Sequence, residues 1–282
     1  MLDIHLVEVG PRDGLQNEPA TIPTETKVAY VDALSASGLH EIEVSSFVAA
    51  GRIPQLGDAE AVFAAIRRPA GVRFTALVPN SRGLERARTC GVDGIAVFTA
   101  ASETFARRNI NASIAESLER FQEVIRGSDV PVRGYISTAW VCPFEGPIAP
   151  REVVAVVRSL LDLGCAEIAL ADTIGRATPD TVRHLLDAVL PHCPAAQLAV
   201  HLHDTFGAAV ANARGAEAMG IRRFDGSAGG FGGCPFAPGA PGNVATQALV
   251  QAFAGRTGVD QASLDRAASL IRPLLSPTPA SF

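Results

Sequence analysis

The tripeptide His201-Leu202-His203 is the sharpest chemical pattern in the chain. In an extended strand, residues two apart share a face. Both imidazoles would then point one way and Leu202 the other. Two histidines on one strand make half of a metal site. A hydrogen-bonded histidine pair is the alternative for this tripeptide taken alone. Asp13 offers a carboxylate and Asn243 a neutral amide oxygen as two further candidate ligands. A mixed oxygen and nitrogen set suits Mg2+ or Mn2+ with open positions better than a closed thiolate zinc site. One carboxylate leaves a bound dication with net positive charge, so an anionic, oxygen-rich substrate can complete its shell.

Arg12 stands directly before Asp13, between Pro11 and Gly14. Taken singly, the two residues read as an ion pair and a turn cap. Together they offer chemistry: a fixed guanidinium can face a carbonyl oxygen that becomes an enolate, with a geometry no lysine reproduces. Cys234 lies in a run rich in glycine and proline between residues 229 and 243. That run reads either as a flexible linker or as a mobile lid. A thiol there could act as acid or base if a metal or cation moves its pKa. Cys142 reads as a structural thiol, and Cys90, Cys165 and Cys193 as helix-end or core residues.

These residues need a frame to bring them together. Strand-like runs are expected at residues 4–9, 41–44, 74–78, 94–98, 132–137, 167–170, 197–202 and 223–227. Helical stretches are expected at 24–37, from 81, and at 113–126, 150–163, 179–190, 208–219 and 244–254. Glycines close several helices, as at Gly38, Gly91, Gly164 and Gly220. Regular alternation of strand and helix implies a parallel sheet, because parallel strands need crossovers. Eight units imply closure into a (β/α)8 TIM barrel of the α/β class. A last helix near 264–275 has no strand to follow it. An open doubly wound sheet would carry a glycine-rich phosphate loop after its first strand, and GPRDGLQNE is not one. A single catalytic domain over residues 1–282 is expected, since no linker divides the chain.

In such a barrel, active sites are built at the C-terminal ends of the strands. The reactive residues gather there: Glu8, Arg12 and Asp13, then Glu43 and Ser46, Cys142 and Glu145, Asp172 and Thr173, His201, His203 and Asp204, and finally Asp225, Cys234 and Asn243. Structural polar residues would be scattered over both ends.

A net charge of -5 argues against nucleic acid or an anionic membrane as the main partner. Any anionic substrate must be held by local cations or a metal. No apolar run spans a membrane and no targeting segment is visible at the start. Five widely spaced cysteines give neither a disulfide framework nor a zinc pattern, which fits the cytoplasm.

Three segments carry a resemblance: residues 9–18 (VGPRDGLQNE), 201–207 (HLHDTFG) and 232–237 (GGCPFA). They are similar to those of hydroxymethylglutaryl-CoA lyases, the lyase branch of a metal-dependent barrel group that also holds isopropylmalate and homocitrate synthases. The likeness covers almost the whole chain, including residues 45–48, 101–103, 109–111 and 172–175. It implies metal ligands at Asp13, His201, His203 and Asn243. It implies that Arg12 stabilises an enolate and that Cys234 is a catalytic thiol on a mobile loop, and the mechanism expected from it has Asp13, or a histidine such as His201 or a water beside it, as the base. Glu8, Glu43 and Asp172 match acidic positions that support metal and substrate, and Gln16 and Ser46 are expected in the same surroundings. Gln247 departs from the acidic residue that family members often carry four positions after the metal-binding Asn.

The implied reaction is cleavage of 3-hydroxy-3-methylglutaryl-CoA, or a close 3-substituted analogue, to acetoacetate and acetyl-CoA. That reaction belongs to leucine degradation and ketone-body formation. The implied partner is an acyl-CoA thioester, and a homodimer or higher homo-oligomer is expected. Alternatives are an acyl-CoA/2-oxo acid condensing enzyme, a hydroxy-oxo-acid aldolase, or a catalytically silent scaffold. Arg107, Arg108 and Asn109 read as a solvated helix start or as phosphate contacts.

Overall fold

The computed structural model describes residues 2–233 and 242–275. Eight parallel strands close into a barrel. Numbering the barrel strands alone, these are β1 (His5–Glu8), β2 (Glu41–Ser46), β3 (Arg73–Leu77), β4 (Gly94–Ala100), β5 (Val132–Ser137), β6 (Glu167–Asp172), β7 (Leu198–Leu202) and β8 (Arg223–Gly226). Each strand pairs with the next, and β1 pairs with β8 in register from His5–Arg223 to Glu8–Gly226. The expected barrel is therefore the observed one.

The strands have two different faces, and the alternation of side chains explains why. Ile95 and Val97 of β4 join the large core packed under the helices, whereas Ala96 and Phe98 point into the barrel with Leu77, Tyr135, Ala169 and Ala199. That interior layer thus combines three alanines with Leu77, Phe98 and Tyr135.

The helices form the outer ring: α1 (Thr24–Ser35), α2 (Ala59–Ala65), α3 (Ser81–Thr89), α4 (Glu103–Ile110), α5 (Ile114–Gly127), α6 (Pro150–Leu163), α7 (Pro179–Val189), α8 (Ala209–Ala218), α9 (Thr246–Ala252) and α10 (Gln261–Ile271). Their starts follow local chemistry. Ser113 and Glu116 form a reciprocal capping box at α5, and Thr178 and Thr181 do the same at α7 behind Pro179. Gly164 ends α6 at φ 110°, a conformation open to glycine without a steric penalty.

Two helices were not expected. α2 is only seven residues and follows a proline-bearing loop. α4 stops at Asn111 in the left-handed region, two residues before the Ser113 cap, and lies ahead of the helix expected at 113–126. Arg107 and Arg108 consequently occupy the last turn of α4 rather than a helix start. Among the described residues no helix is long and apolar enough to cross a membrane.

Candidate active site

The turn after β1 carries the first two reactive side chains. Residues Gly10–Gly14 form one wide π-helical turn. Its organising contact is the Val9 carbonyl, which accepts from the backbone N–H groups of Arg12 (3.2 Å), Asp13 (2.7 Å) and Gly14 (3.2 Å). Single π turns of this kind recur at functional sites because they re-aim side chains that an α-helix would point elsewhere. Glycine is required at position 10: a Cβ there would stand 2.5 Å from Glu8 Oε1 and from the Tyr30 hydroxyl. Glu8 fixes the turn from below, where its Oε1 accepts from Gly10 N at 2.8 Å.

Asp13, His201 and His203 each present one donor atom, and these atoms all lie within 4.8 Å of one another. The His201 and His203 ring centroids are 5.4 Å apart, as two residues on one strand face require. His201 Nδ1 meets Asp225 Oδ2 at 3.1 Å, which turns its Nε2 toward Asp13 Oδ2, 3.9 Å away. A carboxylate behind a histidine fixes the tautomer and leaves the other nitrogen to ligate. Burial, reinforced by His201, pushes His203 down to about 4, so its ring is neutral at pH 7. His203 Nδ1 is buried with no hydrogen-bond partner among the described residues.

Burial works against the ionised form of Asp13. Arg12 and the two histidines outweigh it and hold the carboxyl well below the ordinary range. A carboxylate held in its ionised form is suited to a cation and takes up a proton weakly. Asn243 forms a bridge to His203, and its amide nitrogen donates to Asp13 Oδ2 (2.8 Å) and the Phe231 carbonyl (3.1 Å). The amide oxygen is thereby left for another partner. This donor set fits a hard divalent cation.

Arg12 is held from two sides. Its Nε donates to Glu43 Oε2 at 2.6 Å and its Nη1 to Asp13 Oδ1 at 2.5 Å. Nη2 donates to no described residue. Burial opposes the charge on Arg12, but Glu43 and Asp13 keep it firmly protonated. Burial raises Glu43 while Arg12 pulls it back. The Tyr135 hydroxyl reaches Glu43 Oε2 at 3.4 Å, and the Arg12 guanidinium lies over the Tyr135 ring at 5.5 Å. All of this opens into a cleft of about 1300 Å3 at the C-terminal end of the barrel, lined by Arg12, Asp13, Gln16, Tyr135, His201 and His203 among others.

The HMGL-like family profile matches residues 3–271. The mouse cytoplasmic 3-hydroxy-3-methylglutaryl-CoA lyase is 49% identical over 263 residues, 91% of this chain and 77% of its own length. A Pseudomonas aeruginosa 3-hydroxy-3-isohexenylglutaryl-CoA/hydroxy-methylglutaryl-CoA lyase is 49% identical over 267 residues, 93% of this chain and 89% of its own. The crystal structure of the HMG-CoA lyase from Brucella melitensis superposes with a TM-score of 0.94 at 47% identity, covering 96% of this chain and 98% of that one. The chain belongs to the HMGL-like family.

Within that HMGL-like frame the remaining expectations sort by contact. Glu8 does not line the cleft. Besides Gly10 N it accepts from Ala228 N (2.9 Å) and the Thr246 hydroxyl (2.7 Å), so it supports the turn rather than a substrate. Asp172 accepts from Arg176 N (3.0 Å) and Ala177 N (2.9 Å) and shapes the loop after β6, and burial raises its pKa to about 6. Ser46 caps its own turn by accepting from Val48 N at 3.2 Å.

Gln247 is likewise outside the cleft. Its Oε1 accepts from Gly229 N and its Nε2 donates to Asp265 Oδ1, each at 2.9 Å. Gln247 therefore acts on the turn after β8, not on the cleft wall. Cys142 is buried against the Ser102 hydroxyl at 3.0 Å, as a structural thiol should be. Arg108 stacks on Phe144, while Asn109 lines the cleft. Cys234 lies outside the described residues.

Sequence reasoning missed Tyr135 and Arg133, and placed Asp225 at the right end without a role. The available signal was strand alternation: Arg133, Tyr135 and Ser137 share the inward face of β5.

Proposed function

We propose that this chain is a divalent-metal-dependent carbon–carbon lyase that cleaves 3-hydroxy-3-methylglutaryl-CoA, or a close 3-substituted analogue, to acetoacetate and acetyl-CoA. The observation that carries the reading is the convergence in one cleft of Arg12 with the Asp13, His201 and His203 cluster. In this reading Asp13, His201, His203 and the amide oxygen of Asn243 hold Mg2+ or Mn2+. Bound there, the cation would acidify the substrate's tertiary hydroxyl.

The residues supply the rest. Once a histidine of the site or a water beside Asp13 has taken the hydroxyl proton, the bond between C2 and C3 breaks. Its electron pair passes to the thioester as an enolate, and C3 becomes the ketone of acetoacetate. Arg12 Nη2 meets the growing negative charge on the enolate oxygen, while Glu43 and Asp13 hold the guanidinium still. The enolate carbon must then take up a proton to give acetyl-CoA. The resemblance assigns that proton to Cys234, and full activity in Cys234→Ala would remove it from the scheme.

The test is release of acetyl-CoA from 3-hydroxy-3-methylglutaryl-CoA with Mg2+ or Mn2+, abolished by a chelator and by His203→Ala. Condensation of acetyl-CoA with a 2-oxo acid, or cleavage of a substrate without a thioester, would replace the reading. The isohexenyl substrate in the name of the Pseudomonas relative makes a panel of longer 3-substituents the natural extension. We also read residues 1–282 as one catalytic domain, in homodimers or higher oligomers, which sedimentation checks. The free Cys90, Cys142, Cys165 and Cys193 fit a cytoplasmic setting.

A further inference from the structure

Asp225 is fully buried, and its two oxygens are divided between two partners. Oδ2 meets His201 Nδ1 at 3.1 Å, and Oδ1 accepts from Arg133 Nη2 at 2.6 Å. Arg133 belongs to β5 and Asp225 to β8, with β6 and β7 between them in the sheet. The contact therefore crosses the barrel interior. It can do so because three alanines of the interior layer leave room beside it. Ala96 is the register neighbour of Arg133, Ala169 is the register neighbour of Tyr135, and Ala199 lies on β7. Larger side chains at these positions would fill the width that the guanidinium spans.

We propose that Arg133 is a positioning residue for the metal centre: it clamps Asp225, and Asp225 in turn aims His201 Nε2 at the cation. The inference rests on the metal-site reading above. Asp225 without Arg133 would keep one anchor instead of two and could rotate about its terminal torsion, letting the His201 ring swing. Tyr135 does not replace the clamp, since its hydroxyl is directed at Glu43 and Arg133 only lies over its ring at 4.7 Å. The other arginines at the base of the barrel do not touch Asp225. Arg223 pairs with Glu41 (2.7 Å) and with Glu167, and Arg73 pairs with Glu41 (3.4 Å). Arg133 also meets Glu167 Oε1 at 3.0 Å, which holds its stem end in the same network.

The test is Mn2+ binding to the metal-free full chain by titration calorimetry, with thermal melts run in parallel. Arg133→Met should weaken Mn2+ binding at least about ten-fold, the scale typical for loss of a group behind a metal-bound histidine. Asp225→Asn should do the same. The double variant should be no more than about three-fold weaker than the worse single one, because both act through one contact. Arg73→Gln, in the same base network but off the clamp, should bind as the parent does. If Arg133→Met does not fold, Arg133→Lys keeps a cation but loses the fork and serves instead.

Arg133 variants that melt lower yet bind Mn2+ within two-fold of the parent would overturn the inference, as would independent, multiplying losses in the double variant. An equal loss in Arg73→Gln would also overturn it, pointing to net charge rather than positioning. No Mn2+ binding in the parent chain would sink the metal-site reading and this inference together. Binding by the parent with unchanged Arg133 variants sinks only this one.

Discussion

Arg12 shows how much of the chemistry depends on restraint of a single side chain. A free arginine on a surface loses conformational entropy when it meets a ligand. Here the buried Glu43 and the adjacent Asp13 already hold the guanidinium by Nε and Nη1. Arg12 lines the cleft and its Nη2 donates to no described residue, so little is left to order. Arg12→Gln should lower kcat about 100- to 1000-fold, the usual scale for losing one preorganised donor to an oxyanion. Mn2+ affinity should change far less than kcat, because losing the Nη1 contact to Asp13 is offset by removing a positive charge beside the cation. Steady-state kinetics beside calorimetry check this, and near-parent turnover would remove Arg12 from the scheme.

At this scale the site was partly legible. The two histidines declare themselves through the two-residue period of a strand, and Asp13 through its place after β1. Glu43, Tyr135, Arg133 and Asp225 are joined by contacts between residues 92 positions apart or across neighbouring strands, and no local spacing encodes such pairs.

Among the elements, the turn at Gly10–Gly14 matters most, because it places Arg12 and Asp13 together. Its geometry rests on close approach. A methyl at Gly10 would press on Glu8 Oε1 and the Tyr30 hydroxyl, and neither can retreat from a buried site. Gly10→Ala should cost about 1–3 kcal/mol of stability, the range for overpacking a dense interior. It should also depress turnover beyond what the stability loss explains, because the turn re-aims Arg12. Chemical denaturation paired with kinetics at a temperature where the variant is folded would separate the two effects.

Gly232 is a second test of backbone fit. It has φ 95°, and a Cβ there would lie 2.7 Å from Asn243 Nδ2. Gly232→Ala should weaken Mn2+ binding by displacing Asn243, and unchanged affinity would argue that Asn243 is not a ligand. Strands were the readable elements, since each is a buried apolar run between turn residues. The π turn was not, because its residues read equally well as a plain loop. α4 was not read because it is only eight residues long and ends at the left-handed Asn111, just before the cap of α5.

The barrel as a whole depends on a seam, the pairing of β1 with β8, and Glu8 sits at its upper end. Closure could be inferred from counting eight units, but the seam's buried carboxylate could not. Glu8 accepts from Gly10 N, Ala228 N and the Thr246 hydroxyl, tying the first strand to the last loop and to α9. Burial raises its pKa from 4.5 to about 7 despite those three hydrogen bonds, and the charge of Asp225 adds to the rise. Between these two values the unfolded chain has released this proton and the folded chain still holds it. The unfolded state then binds fewer protons, so Glu8 makes stability fall as pH rises from about 4.5 to about 7.

The full change is on the order of 3 kcal/mol. Glu8→Gln keeps the shape, can still accept from the two backbone N–H groups, and can donate to the Thr246 oxygen. The parent minus Glu8→Gln difference in unfolding free energy should therefore decline across that window. Urea melts of the metal-free protein at pH 5, 6, 7 and 8 measure it, and the subtraction removes every other titrating group. A flat difference would mean that Glu8 holds its charge at the seam throughout, balanced by its donors. A single transition in each melt would also support the reading of the chain as one domain, because independently folding domains would unfold in separate steps.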